Sequence, residues 1–478
     1  MKSIKNKVAV LAITLIAALT ISSISFGATY KVIARNDLGM HCACPTFEGF
    51  LLLPPYNTIR AQVFTMGSDP SIVSSGVTVS YSIPENTDAI LKADPYYASW
   101  IANSPKLFPG FAPVNAQGNI VGLTGKKLAD TMTYDSVSRS YKAEGVPVYP
   151  VTTGTTKDIM VDPLGGPNRN PYLTANITVK NSTGTVLATT STIMPVAFGG
   201  CCSCHLTLAA QNGYPATPAG SFAYLGVMHA QNSSKINIAM IDPDGDGKGG
   251  PVRCSWCHWD PAMGESAAPG WPAATKLLPG ATFTLKKSIY SFSDVLHRFH
   301  AQSQKVLTQF DPNISNNCYD CHPGNNVNCY RGTHKGKTAI WCSDCHGNLN
   351  QRIATKQMAQ PWQASTLPTC FAPSAGVTSA FACHPKDTNN SYGWTGLFGK
   401  FINNRGHEGS VLCETCHGSA HSEAPSTMAL DNVENATLQG NTAFTFPAGK
   451  DKTYAIGVCN VCHTSRSNNW SRPPHTGN

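Results

Sequence analysis

Six segments of the chain read Cys-x-x-Cys-His: Cys201 to His205, Cys254 to His258, Cys318 to His322, Cys342 to His346, Cys413 to His417 and Cys459 to His463. No other feature restricts the fold as much, because each motif commits three chemically demanding side chains within five positions. Two thiols three positions apart reach the two vinyl groups of one haem and form thioethers. The histidine after them then lies under the iron as proximal ligand. A structural zinc site needs two Cys-x-x-Cys knuckles converging on one ion and no histidine after each. A thioredoxin-like redox motif is normally single and lacks that histidine. The repeat therefore predicts c-type haem attachment through Cys201, Cys204, Cys254, Cys257, Cys318, Cys321, Cys342, Cys345, Cys413, Cys416, Cys459 and Cys462.

A seventh site is less regular. Cys370 and Cys383-His384 enclose twelve residues, and with them every Cys-His dipeptide in the chain is used. The reading is either a haem joined to both Cys370 and Cys383 with the insert looped out, or one joined to Cys383 alone. Seven haems take His205, His258, His322, His346, His384, His417 and His463 as proximal ligands. Of the 15 histidines, His41, His229, His297, His300, His334, His407, His421 and His475 remain, one more than seven distal faces require. This count predicts bis-His irons. Axial imidazoles on both faces leave no open position, which suits electron transfer rather than substrate activation. His297 and His300 lie in a predicted helix over Ser293–Gln302, capped by Ser293 or Asp294. Three positions apart they share a face and can serve two adjacent haems.

Four cysteines lie outside the motifs: Cys42, Cys44, Cys202 and Cys329. Two disulfides and four buried thiols are both open readings. Residues 1–27 read as a secretory signal peptide, with three lysines, an apolar stretch from Val8 to Ile24 and small residues at Ser25 and Gly27. No other stretch approaches the apolar length of a membrane span. The expected address is therefore periplasmic, outer-surface or extracellular, where disulfides persist. With 41% hydrophobic and 13% charged residues the chain is neither a coiled coil nor disordered.

Residues 28–196 contain no haem motif and read as a β-rich module. Tyr30–Arg35, Asn57–Phe64 and Gly76–Ile83 alternate at period two, and Ala175–Lys180 and Thr185–Met194 flank the turn Asn181-Ser-Thr-Gly184, a hairpin. Long loops are expected around Pro95 to Pro113 and Thr152 to Pro171. Residues 197–478 hold all the motifs. The expected fold class is an all-β sandwich-like N-terminal domain followed by a haem-cored multihaem cytochrome domain of short helices and loops. Within the second part, Asp242, Asp244 and Asp246 alternate and are followed by glycines. This is either a calcium loop, with its twelfth position taken by Arg253 instead of Glu, or a polar glycine turn.

Beyond generic haem binding, Asp37-Leu-Gly-Met-His-Cys42, Leu53-Pro-Pro-Tyr-Asn-Thr-Ile-Arg-Ala-Gln-Val63 and Gly122-Leu-Thr-Gly125 resemble the N-terminal module of large multihaem c-type cytochromes from metal-reducing bacteria. Cys318-Tyr-Asp-Cys-His-Pro-Gly, Cys342-Ser-Asp-Cys-His-Gly and Gly406-His-Glu-Gly with Cys413-Glu-Thr-Cys-His-Gly-Ser-Ala-His421 extend the likeness over most of the mature chain. The resemblance implies electron transfer outside the cytoplasm toward redox partners or extracellular acceptors, and distal-ligand roles for His41, His407 and His421. Cys44 and Cys202 depart from the family pattern together, which implies Cys44–Cys202 and Cys42–Cys329 bridges. The Cys370–His384 spacing departs as well.

These readings combine into a heptahaem electron carrier, with self-assembly into a filament as a further expectation. The alternative is a multihaem reductase of a small oxyanion (nitrite, sulfite or tetrathionate), for which the Cys370–His384 haem would need an open distal face. The formal net charge of +8 drops to +5 without the three lysines of the signal peptide. Seven haems, each adding about −1 ferric or about −2 ferrous, take it to about −2 oxidised and about −9 reduced. Nucleic-acid binding is therefore not expected.

Overall fold

The computed structural model describes residues 29–151, 164, 169–232, 235–260, 263–302, 315–323, 327–337, 340–346, 394–395, 398–399, 411–439, 455–456 and 459–464. The signal-peptide reading, residues 1–27, lies outside the described residues. Two five-stranded sheets hold the first part. One contains β1 (Tyr30–Asn36), β4 (Asn57–Thr65), β5 (Ser71–Ile72), β8 (Thr133–Asp135) and β9 (Ser140–Val146), in the order β1-β4-β9-β8 with β5 also on β4. The other runs β2 (His41–Ala43), β11 (Val186–Phe198), β10 (Tyr172–Asn181), β6 (Val77–Ser82), β7 (Ala129–Thr131). β2 runs parallel to β11, and the remaining pairs are antiparallel.

Each alternating segment of the sequence is a strand. The hairpin between β10 and β11 closes on Asn181, whose side-chain oxygen accepts from the N–H groups of Thr183 (3.1 Å) and Thr185 (2.8 Å). Gly184 there has φ +87°, a conformation that glycine adopts without strain. Val32, Ala34, Ile59, Ala61 and Val63 from the first sheet meet Val79, Tyr81, Ile177, Met194 and Val196 from the second in one buried core.

The expected fold class is corrected on two points. The first part is not all-β, because it contains helix α1 (Asp88–Ala93) and because helix α2 (Pro95–Leu107) stands where a long loop was read. Asp94 caps α2, accepting from the N–H of Tyr96 and of Tyr97 at 3.0 Å each, and Pro95 occupies the first helical position, where no N–H is needed. Its buried face, Tyr97, Trp100 and Leu107, joins the core with Phe47 and Tyr149.

Nor is the first part a sandwich followed by a separate haem-cored half. The molecule is mixed, with several sheets and short helices, and the later chain is built into the first. In a free-standing sandwich the second face of β1 and β4 would meet water. Here β4 is buried from Asn57 to Phe64. Ile33 and Phe64 pack with Val461, while Arg35 donates to the Thr415 hydroxyl (2.9 Å). Gln62 accepts from the Leu412 N–H (3.2 Å) and the Thr415 hydroxyl (2.7 Å), and the Ser419 hydroxyl donates to the Asn36 carbonyl (2.6 Å). β3 (Phe50–Leu51) pairs in parallel with β13 (Val252–Arg253), and β12 (Ile241–Asp242) pairs with β14 (Lys276–Leu277).

Downstream helices are α3 (Cys201–Gln211), α4 (Pro218–Asn232), α5 (Ser255–His258), α6 (Phe292–Gln302), α7 (Thr333–Lys337), α8 (Cys342–His346), α9 (Cys413–His417) and α10 (Ala429–Leu438). Among the described residues no helix is long and apolar enough to cross a membrane.

Helix α10 packs on β11 and delivers Glu434 to the junction of the two sheets. Its Oε1 accepts from the Ala34 N–H and the Thr190 hydroxyl, both at 3.0 Å. Burial pushes this carboxyl up to about 8, against the downward pull of those bonds and of Arg35. Below about pH 4.5 the group is protonated in both folded and unfolded chains. As pH rises from there to about 8, the unfolded chain releases the proton and the native state keeps it, so stability falls. Glu434→Gln, whose amide oxygen accepts the same two bonds, should match the wild type at pH 4. It should melt about 2–4 °C higher at pH 9, the equivalent of about 2–4 kcal/mol for a chain of this length. Equal melting temperatures across that range would show that the carboxyl ionises normally.

Candidate functional site

All six Cys-x-x-Cys-His motifs form helical turns. Those beginning at Cys201, Cys342 and Cys413 lie in α3, α8 and α9. In the other three, the histidine N–H bonds the carbonyl of the first cysteine: His258 to Cys254 (3.2 Å), His322 to Cys318 (2.8 Å) and His463 to Cys459 (2.9 Å). Positions i, i+3 and i+4 of such a turn share one face, so both thiols and the imidazole are presented to the same side.

Four of these motif histidines face a second histidine. The ring centroids of His205 and His300 are 6.2 Å apart, those of His258 and His229 6.4 Å, His322 and His297 6.2 Å, and His346 and His421 6.2 Å. The angles between ring planes are 79°, 68°, 18° and 58° respectively, so only the spacing is shared. A first-row metal lies about 2 Å from a ligating imidazole nitrogen, and the ring centroid roughly 1 Å farther back. Two imidazoles on opposite sides of one metal therefore have centroids about 6 Å apart.

Three of the four second histidines are held in a ligating tautomer. His229 Nδ1 meets the Ile236 carbonyl (2.8 Å), His297 Nδ1 that of Ser293 (2.7 Å) and His300 Nδ1 that of Leu296 (2.7 Å). A carbonyl only accepts, so Nδ1 carries the proton and Nε2 presents its lone pair. Burial pushes His205, His258, His322 and His421 down to about 4, and neighbouring positive groups add to the shift, so the rings stay neutral near pH 7.

The thiols do not join the imidazoles in one coordination shell. Among the described residues, the one group of three His, Cys, Asp or Glu ligand atoms within 4.8 Å of one another is Asp242, Asp244 and Asp246. Among the described residues a Cys₂His₂ zinc site is therefore not formed. Two thiols and a histidine on one face, with a second histidine opposite, fit a haem that the cysteines would hold covalently and whose iron the histidines would ligate.

Three motifs lie side by side. The Gly200 N–H bonds the Cys321 carbonyl (2.9 Å), the thiols of Cys318 and Cys342 hydrogen-bond each other, and His322 feels both His297 and His346. Helix α6 supplies His300 to the first motif and His297 to the third. Its cap is Ser291, whose hydroxyl accepts from the Asp294 N–H (3.1 Å), two residues earlier than the first of the two expected caps.

The remaining expected residues have other surroundings. His41, in β2, holds Asp37 through Nε2 (2.7 Å) and lies edge-on to Tyr56. His334, in α7, holds Glu423 through Nδ1 (2.7 Å), and His463 Nδ1 meets the Ser68 carbonyl (3.2 Å). Cys370, Cys383, His384, His407 and His475 lie outside the described residues. Among the described cysteines no disulfide is formed, so the implied Cys42–Cys329 and Cys44–Cys202 bridges are not present. Cys44 accepts from the N–H groups of Leu52 and Leu53, and burial pushes Cys42 up, with Cys329 its strongest charged neighbour. The aspartate loop folds as a polar turn around Asp242, which accepts from Gly245 and Gly247 N–H. Lys106 of α2 reaches into the loop to Asp244 (2.6 Å) and Asp246 (3.4 Å), so a lysine already supplies positive charge there.

Comparison with protein-family models gives no match, and comparison with curated proteins gives no relative. The Nδ1 tethers of His229, His297 and His300 and the carboxylates on His41 and His334 escaped sequence reasoning, because no motif marks them.

Proposed function

We propose that the protein is an exported heptahaem c-type cytochrome that carries electrons to redox partners or extracellular acceptors. The observation that carries this reading is the set of four motif histidines, each facing a second imidazole at 6.2–6.4 Å. When bound, each haem supplies a one-electron ferric/ferrous couple. The chain's own residues would hold it through two cysteines and the histidine that follows them, and Nδ1 bonds orient the facing rings of His229, His297 and His300. Two imidazoles per iron leave no coordination site for substrate, which favours transfer over oxyanion reduction. The adjacency of the first, third and fourth motifs supports a relay, because irons held by touching motifs are close neighbours. Assembly of copies into a filament is a compatible extension.

Intact mass measures this directly. The mature holoprotein should exceed its polypeptide by about 4.3 kDa, seven haems. Its ferric spectrum should be low-spin throughout. An excess equal to six haems would remove the Cys370–His384 site. A polypeptide mass with bound zinc would overturn the proposal.

A further inference from the structure

Three of the four second histidines are turned by an Nδ1 bond to a carbonyl. His421, the fourth, is placed through its main chain by two distant segments. Its N–H bonds the Leu38 carbonyl (3.3 Å), and its carbonyl accepts from the N–H groups of Arg331 (2.9 Å) and Gly332 (3.1 Å). Tyr330 lies edge-on to its ring, with centroids 6.2 Å apart, and donates through its hydroxyl to the Ile340 carbonyl (3.0 Å), beside the fourth motif. We propose that Gly39 is a positioning residue for His421: the turn between β1 and β2 seats this ring opposite His346, so the first part of the chain completes the fourth haem site. This rests on the reading of the protein as a multihaem cytochrome, with His346 and His421 on one iron.

The turn is fixed at both ends. Asn36, the last residue of β1, pairs with Ile59 of β4, and His41, the first of β2, pairs with Val196 of β11. The Asp37 N–H bonds the Thr58 carbonyl (3.3 Å). The segment that carries His421 is fastened to the same place, because the Ser419 hydroxyl donates to the Asn36 carbonyl (2.6 Å).

Gly39 lies against His421 itself. Its φ is +100°, a conformation that glycine adopts without strain. A Cβ there would fall 3.0 Å from His421 Cβ and 3.3 Å from its Cα and its carbonyl carbon. These atoms are the root of the side chain, so no rotation of the ring relieves the contact. A side chain at position 39 must move the whole histidine. Removing a group that orients a metal ligand commonly costs about 10–100-fold in metal affinity.

Electron paramagnetic resonance of the ferric holoprotein tests the seat. His421→Ala should convert one low-spin iron to high-spin, and free imidazole should return it to low-spin. Gly39→Ala should shift or convert that same component and no other. The double variant should show no second high-spin centre. Gly184→Ala is the control: it carries the same kind of backbone strain, at φ +87°, with nothing within 4 Å of its Cβ, and should leave every component in place. Ser419→Ala loosens the seat without backbone strain and should move the same component, which keeps the test open if Gly39→Ala does not fold. All seven haems should remain attached by mass in each protein. A wild-type spectrum in whichever of Gly39→Ala and Ser419→Ala folds would overturn the proposal. So would movement of a different component, the same movement in Gly184→Ala, or a His421→Ala protein whose irons all stay low-spin. A wild-type mass without haem would instead defeat the underlying reading, so the two failures are distinguishable.

Discussion

Replacing His297 and His300 together with alanine should convert two low-spin ferric irons to high-spin and leave the covalent haem count unchanged. Both rings sit on α6, three positions apart and therefore on one face. Each is turned by its own helix, since the Nδ1 acceptor is in both cases the carbonyl four residues earlier. They face different motif histidines, His300 toward His205 and His297 toward His322, at the same 6.2 Å. One short helix thus spans two sites, and the Gly200–Cys321 backbone bond holds those sites in register. Attachment depends on the thiols, which the substitutions leave alone. Electron paramagnetic resonance of the ferric protein should count one high-spin centre in each single variant and two in the double. Loss of an imidazole should also raise the affected potentials, because a strong donor to ferric iron is gone. A spectrum of wild-type form in His300→Ala would dissociate that histidine from the first motif.

The parts of this arrangement that are local in sequence were legible. Cys-x-x-Cys-His needs only a helical turn to gather its three side chains, and the helix that carries His297 and His300 was read, two residues short of its Ser291 cap and without its Nδ1 tethers. The β10–β11 hairpin is declared by Asn181 and Gly184. Helix α2 was legible in principle, because Asp94-Pro95 is a cap followed by a first-turn proline, but the many prolines nearby pointed to a loop. What could not be read is what joins distant chain. Arg35 and Gln62 lie on the same face of β1 and β4, as polar, outward residues would. Only the docking of Leu412 and Thr415 against them makes that face an interior. The pairing of His421 with His346 and of Glu423 with His334 belongs to the same class, because each joins segments more than seventy residues apart.

The clasp between those segments leads to the largest stability effect expected here. Arg331 is fully buried, and its fork grips Asp431 of α10 through Nε (2.6 Å) and Nη2 (2.9 Å). The Arg331 carbonyl in turn accepts from the Ser426 hydroxyl (3.1 Å) and the Thr427 N–H (2.7 Å), and its N–H holds His421. Arg331→Ala would strand the Asp431 charge beside Ser426, and breaking a buried pair in this way costs about 3–5 kcal/mol. The melting temperature should fall by about 3–5 °C for a chain of this length. Arg331→Lys should recover little, because an ammonium cannot reproduce two parallel bonds. Replacing both partners, Arg331→Met with Asp431→Leu, should recover most of the loss, since the desolvation cost disappears along with the attraction. Chemical and thermal denaturation of the four proteins separates these cases. If the double variant is no more stable than Arg331→Ala alone, the clasp depends on the ion pair itself and not on filling the space it occupies.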